Sequence, residues 1–295
     1  MKKYINVFAF LIGVSINSYA ASSVGSYQLT DQSFEFAAPV AIQSPANPDT
    51  TNPVGSIVYD ATSNVFKGLF LTGWAPINQG TAKAPTVTIC TGTTGSYTTP
   101  AGVLYLRVRM VGAGGGGSGG GVTGATAGSN GTSTTFGTSL LVANGGAGGL
   151  PSNSGQGGTG GTASLGVGPV GTAITGGFGQ GAALLTTTSG QFHGGSGAST
   201  PFGGAGLGGG SGAIGLPAIA NTGSGGGGGG ISNVANAWTG SGGGAGGYVD
   251  AIIRTPASSY AYAIGVKGAA GSGGTSGLNG GPGSDGYIEV TEYYQ

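Results

Sequence analysis

Few side chains in this sequence could do chemistry, and none is placed to do it. His193 is the single histidine and Cys90 the single cysteine, and they lie far apart along the chain. Nucleophilic catalysis needs a base beside the nucleophile and a third group to orient that base. The region around His193 holds no carboxylate for the task. Gly116-Gly117-Ser118-Gly119-Gly120 spells G-x-S-x-G, yet no α/β-hydrolase pattern surrounds it. Matches to G-x-G-x-x-G arise freely in glycine-rich sequence, and none opens a helix after a strand, where the motif has meaning. No G-K-[ST] is present, which rules out a phosphate-binding P-loop. Gly280 to Asp285 fits the calcium repeat G-G-x-G-x-D once, and such sites need stacked copies. We expect Asp285 to shape the turn before Tyr287 instead. One His and one distant Cys make no metal site. We therefore expect no enzyme, no metal and no cofactor.

The elements that position these groups begin with an export signal. Lys2 and Lys3 precede a mainly apolar stretch from Tyr4 to Ile16, and Ser18-Tyr19-Ala20 supplies small residues for cleavage between Ala20 and Ala21. The apolar stretch is short of the roughly 18–20 residues that span a bilayer, and no later run is longer. The expected mature chain is secreted, to the periplasm or cell surface, without membrane insertion. It carries six Lys and Arg against eight Asp and Glu. With no basic cluster to neutralise phosphates, no nucleic-acid partner is expected. An odd thiol in an exported chain suggests pairing between chains or a free, buried thiol. The strand-like "TVTIC" favours burial of Cys90.

Residues 21–52 read as an extended segment and linker, rich in Pro, Asn and Asp toward its end. Residues 53–80 read as about three short strands, at 57–59, 65–71 and 74–77, too small a unit to bury a core alone. The third region spans 84–295. At its start Leu104, Leu106, Val108 and Met110 alternate with Tyr105, Arg107 and Arg109, the mark of a half-buried strand over 103–111. Period-two patterns recur at 248–254, 260–266 and 287–294. These four frame strands bracket the region and are expected to meet in one sheet or sandwich.

Between them, from Met110 to Val249, stands not one Asp, Glu, Lys or Arg, and more than a third of the residues are Gly. Ordinary disorder is charged, and a flexible linker lacks the apolar islands found here. Collagen needs Gly at every third position with abundant Pro; these glycines come in blocks. Silk-like sheets need long Gly-Ala alternation, which the islands interrupt. Glycine-only helices of the polyproline-II type remain. With three residues per turn and no internal hydrogen bonds, their N–H and C=O groups all point outward and can pair between close-packed rods. Nine runs qualify: 112–121, 144–149, 155–161, 176–181, 203–212, 223–230 and 240–247, with 268–274 and 279–286 in the strand-rich tail. The expected fold is all-β, with a sandwich-like frame clamping a bundle of polyglycine-II helices over 112–247 and no substantial α-helix after the signal peptide. The alternative is an expanded flexible insertion.

An ordered bundle would hold its connecting islands out as loops, and binding residues concentrate on loops set on rigid scaffolds. Candidate ligand-binding residues are Phe178, Phe192, His193, Phe202, Asn236 and Trp238. Leu140, Leu141, Leu184 and Leu185 read as packing residues. A charge-free tip with aromatics and hydroxyls suits sugar rings or the neutral outer loops of a surface protein.

"PAGVLYLRVRMVGAGGGGSGGG", followed by "GGGAGGYVDAIIRTPASSYAYAIGVKGAAGSGG" and "GGPGSDGYIEVTEYY", resembles the glycine-rich C-terminal domain of phage tail-fibre and tail-tip proteins. "GSIVYDATSNVFKGLFLTGWAPI" is similar to a short β element of tail-fibre-like proteins, with Leu71-Thr72-Gly73-Trp74 keeping the core of its turn. The resemblance implies a homotrimeric fibre whose tip recognises a cell surface through loops carried by polyglycine helices. The signal peptide departs from phage proteins and points to secreted fibre-like adhesins such as those of predatory bacteria. On this view 53–80 serves trimerisation, and the ligand is a surface glycan or an outer-membrane protein. The alternative is a structural fibre component with no specific ligand.

Overall fold

The strands fall into two units, Met1–Gln79 and Gly80–Gln295, and the longest of them follow the alternation of apolar and polar residues. In the computed structural model, residues 27–30, 33–36, 57–60, 65–70, 73–76, 83–151, 156–187, 190, 192–232 and 234–294 are described. The cleavage residues Ala20 and Ala21 lie outside them. Among the described residues the fold is all-β, with no helix.

In the first unit β1 (Tyr27–Thr30) and β2 (Ser33–Phe36) form an antiparallel hairpin within the segment read as extended. β3 (Ile57–Asp60), β4 (Val65–Phe70) and β5 (Gly73–Pro76) make a three-stranded antiparallel meander.

The second unit is built on two five-stranded antiparallel sheets. One holds β6 (Thr86–Ile89), β8 (Val103–Val111), β12 (Val170–Ile174), β15 (Tyr248–Ile253) and β17 (Tyr287–Tyr294), in the order β12-β15-β8-β17-β6. The other holds β7 (Thr94–Thr98), β9 (Thr134–Phe136), β10 (Leu141–Ala143), β11 (Ala163–Leu165) and β16 (Ser259–Ala263), in the order β11-β10-β9-β16-β7. Their inner faces share one core. Leu106, Val108, Met110, Val249, Ile288 and Val290 come from the first sheet, and Tyr97, Phe136, Leu141 and Tyr260 from the second. Three of the four expected frame strands thus lie side by side, and the fourth, β16, crosses to the opposite sheet. Leu104, expected inside with its alternating partners, is 48 % exposed. The pairing of β15 with β8 ends at Leu106, so Leu104 is flanked on one side only, by β17, whose register shifts there. Two core-edge groups tie down polar atoms. Glu292 is buried and accepts hydrogen bonds from Tyr97 Oη (3.0 Å) and Thr88 Oγ1 (2.8 Å), and from Thr86. Cys90 is a free, buried thiol, pushed up to about 11 by burial.

Beyond β8 the chain changes geometry. From Gly112 onward each backbone N–H donates to a different rod in a strict cycle of three. Gly112, Gly115, Ser118 and Gly121 donate to Gly247, Gly244, Ser241 and Trp238. Ala113, Gly116 and Gly119 donate to Thr132, Ser129 and Thr126, and Gly114, Gly117 and Gly120 to Ser284, Gly281 and Leu278. The carbonyls accept from three further segments: Gly146 and Gly149; Gly226 and Gly229; Gly268, Gly271 and Gly274. A threefold rod with six neighbours is the arrangement these bonds define, and it answers where the outward-pointing backbone groups go. The rods 223–230 and 240–247 are surrounded in the same way, and all three are buried throughout. Only glycine permits this spacing at positions such as Gly228, where an added Cβ would lie 2.1 Å from the carbonyl oxygen of Gly240.

Among the described residues the lattice has twelve rods, three more than the glycine runs suggest. Segments 126–132, 194–198 and 213–216 join it with few consecutive glycines. Segments 126–132 and 213–216 lie at its surface, where only the backbone facing a neighbour must be bare, while 194–198 is largely buried and carries small residues, Ser196 and Ala198, between its glycines. Ser118 and Ser241 show how a gap is handled. Both hydroxyls donate to the carbonyl of Leu150, at 3.0 and 2.7 Å, where rod 144–149 ends.

Candidate functional site at the distal rod ends

Successive rods alternate in direction, as their hydrogen-bond registers show, so connecting loops fall alternately near the sandwich and at the far, distal end. The distal end gathers loops 121–126, 183–193, 210–213, 231–239 and 274–277. Backbone bonds lace them together. Gly121 and Trp238 exchange both hydrogen bonds, Val122 donates to Thr275 (2.9 Å), Ser232 to Ser276 (2.9 Å) and Gly212 to Ile231 (3.0 Å). A short ribbon of β13 (Leu184–Leu185) and β14 (Ala237–Trp238) sets Leu184 opposite Trp238. Beneath them Leu185, Ile231 and Ala237 form a minor core, with Val122 and Phe192 packed against it.

Four of the six expected residues, Phe192, His193, Asn236 and Trp238, therefore come together here. Their roles differ. Trp238 is half-buried, braced along its backbone by Gly121 and Leu184. His193 is exposed beside Gly210. Asn236 is exposed with φ at 62° and donates its backbone N–H to Leu185 at 2.7 Å, so it also makes the turn that returns the chain to Trp238. Asn is among the few residues that tolerate this left-handed conformation. Phe192 is mainly a packing residue of the minor core. Phe178 lies along the side of rod 176–181, away from the distal loops, with 70 % of its surface exposed.

Phe202 is at the opposite end. It packs edge-on against Tyr287 (centroids 4.9 Å apart) and tilted against Tyr248 (5.8 Å), with the Arg109 guanidinium 5.5 Å from its ring. It covers part of the sandwich's outer face, away from Trp238. The reason is rod parity. Between Trp238 and Phe202 lies an odd number of rod passages, because segment 213–216 is a rod. Leu141 and Leu185 are buried and Leu140 packs on the main core, as packing residues should; Leu184 is 37 % exposed beside Trp238. Val234 (39 %) and Ile214 (54 %) add apolar surface at the same end. Their contribution was hidden in sequence because it depends on which loops share an end.

None of the distal loops contains Asp, Glu, Lys or Arg. The motifs that imitate chemistry have structural duties. Ser118 is fully buried in the lattice, and Asp285 accepts the backbone N–H of Lys267 at 2.8 Å, joining two rods. Among the described residues, no group of three or more His, Cys, Asp or Glu is close enough to hold a metal ion.

Four charged residues gather instead on the outer face of the β12-β15-β8-β17-β6 sheet. Arg107 donates two hydrogen bonds to Asp250 (2.9 and 2.6 Å), and Arg109 two to Glu289 (3.1 and 2.6 Å). The Arg107 guanidinium holds the Asp250 carboxyl below the usual carboxylate range. Tyr105 and Tyr293 stack beside the first pair, 4.5 Å apart and 11° from parallel. A shallow groove of about 400 Å³ runs between them and β12.

The fold and these surfaces define an all-β protein in which a sandwich anchors a lattice of glycine rods, with its loops displayed at the far end. No protein-family model, curated protein or solved structure matches the chain.

Proposed function

We propose that the protein is a secreted, fibre-like adhesin whose distal rod loops bind a cell-surface ligand, either a glycan or an outer-membrane protein. One observation carries this reading: five loops converge on one charge-free end, with Trp238, His193 and Asn236 at its surface and a minor core beneath. The apolar area of Trp and the adaptable hydrogen bonding of Ser, Thr and Asn suit recognition of neutral surfaces. Export through the N-terminal signal would place the protein outside the cell, and the short β unit at 53–80 would serve a homotrimer. The reading includes no enzymatic activity, cofactor or nucleic acid. Saturable binding of the labelled protein to intact bacterial cells or to arrayed glycans, lost when residues 231–238 are replaced by a Gly/Ser segment, is the expected result. Sedimentation of the same sample should give three chains per particle. The packing of Phe192 and Phe202 favours a second reading, a structural fibre component, which would be adopted if no surface bound the intact chain.

A further inference from the structure

The outer face of the sandwich offers a second site, remote from the rod loops. Phe202 covers its rod-proximal half, over Tyr248 and Tyr287, and leaves the half around Arg107 open. There Tyr105 and Tyr293 stack on each other, so the pair offers an aromatic wall of one outer ring face and the ring edges. Val170 of the edge strand (53 % exposed) and Ile252 (38 %) supply apolar surface beside it. Between them lie Arg107 and Asp250, locked by two hydrogen bonds to each other. Thr172 adds a hydroxyl from β12.

We infer that this groove binds a neutral saccharide. A pyranose ring presents an apolar C–H face with hydroxyls around its edge, and the groove presents the complementary pair of surfaces. The outer face and edges of the tyrosine pair, with the aliphatic side chains, take the apolar ring face of the sugar, as aromatic groups with large apolar area do. The guanidinium donates from the nitrogen that Asp250 leaves free, and the carboxylate accepts through its remaining lone pairs. Both groups are held before any ligand arrives, which reduces the ordering cost of binding. Charge decides the ligand class. Arg107 and Asp250 neutralise each other, so an anionic ligand would have to displace a bidentate carboxylate, while a hydroxyl-bearing ring leaves the pair intact. The volume of about 400 Å³ falls within the roughly 300–1,000 Å³ of small-ligand sites.

This site is independent of the distal loops, and the test separates the two. Neutral oligosaccharides of glucose, galactose, mannose and N-acetylglucosamine would be titrated into the ¹⁵N-labelled whole chain, with sialyllactose and an acidic peptide as charged probes. Thr172→Trp fills the groove from a strand whose residues are all exposed, so it should fold. Tyr293→Ala removes one half of the wall. The expected result is that a neutral sugar shifts amide signals of β8, β12 and β15, with affinity falling roughly tenfold or more in Thr172→Trp and in Tyr293→Ala. The 231–238 replacement should leave that affinity unchanged. Binding that persists in Thr172→Trp, binding restricted to the charged probes, or no shift with any neutral sugar would each overturn the inference.

Discussion

Trp238 and Gly121 are joined by two backbone hydrogen bonds, Trp238 N–H to Gly121 O at 3.1 Å and Gly121 N–H to Trp238 O at 2.8 Å. A bulky residue flanked by glycine runs is thus held as firmly as a strand residue, and its indole is not needed for the pairing. Trp238→Ser should keep the fold, with a thermal midpoint close to that of the parent by circular dichroism. Binding of the purified variant to target cells should drop roughly tenfold or more, the loss of one aromatic anchor. Unchanged binding by the folded variant would take Trp238 out of the recognition surface.

The rods predict two opposite responses to the same substitution. At Gly228 an added methyl would lie 2.1 Å from the Gly240 carbonyl oxygen, and backbone rather than a side chain would have to move. Gly228→Ala should destabilise by about 3 kcal/mol or more, at the upper end of overpacking effects. At Gly204 the nearest atom to an added methyl is Ile219 Cδ1 at 3.6 Å, an ordinary contact. Gly204→Ala should be neutral or stabilising by roughly 0.4–1 kcal/mol, through the unfolded chain. Paired urea-unfolding curves would compare them, and equal behaviour would contradict the close packing described.

Glu292 ties the two sheets through Tyr97. Glu292→Ala removes the acceptor for a buried phenol and for two threonine hydroxyls, and should cost about 1–3 kcal/mol. Glu292→Gln keeps an acceptor oxygen and should cost less. Denaturant midpoints of the two variants settle the order.

Cys90 supplies a pH dependence. Burial raises its thiol to about 11, so the folded state favours the neutral form. Its contribution to stability is complete below the unfolded value of roughly 8.5. It is lost as pH rises through the folded value of about 11. Thermal midpoints of the parent should therefore fall across that interval more than those of Cys90→Ala. At pH 8 iodoacetamide should leave the native thiol unmodified and react after unfolding, which mass spectrometry would show.

Much of the fold was legible because its signals are local. The alternation at Leu106, Val108 and Met110 placed β8, and blocks such as 223–230 marked the rods that are bare on every side. The surface rods were missed for the complementary reason. Thr126 to Thr132 needs glycine only at Gly128 and Gly131, where its backbone meets neighbouring rods, and so resembles a loop. Which loops share an end depends on the rod count, since each rod moves the loops that follow it to the other end. Phe202 lies opposite Trp238 for this reason. The groove beside Tyr105 was invisible in sequence for another reason: its walls come from four strands whose neighbours are set by pairing across the whole unit.

The alternating direction of the rods also bears on how such a protein changes over generations. Most hydrogen bonds within the lattice join backbone to backbone and read no side chain, and the distal turns are segments between one rod and the next. Residues can be exchanged, inserted or deleted in one turn while the registers of the rods below stay as they are. Heritable novelty is thereby channelled to one end of the molecule, where a new specificity can be tried without the fold having to be found again.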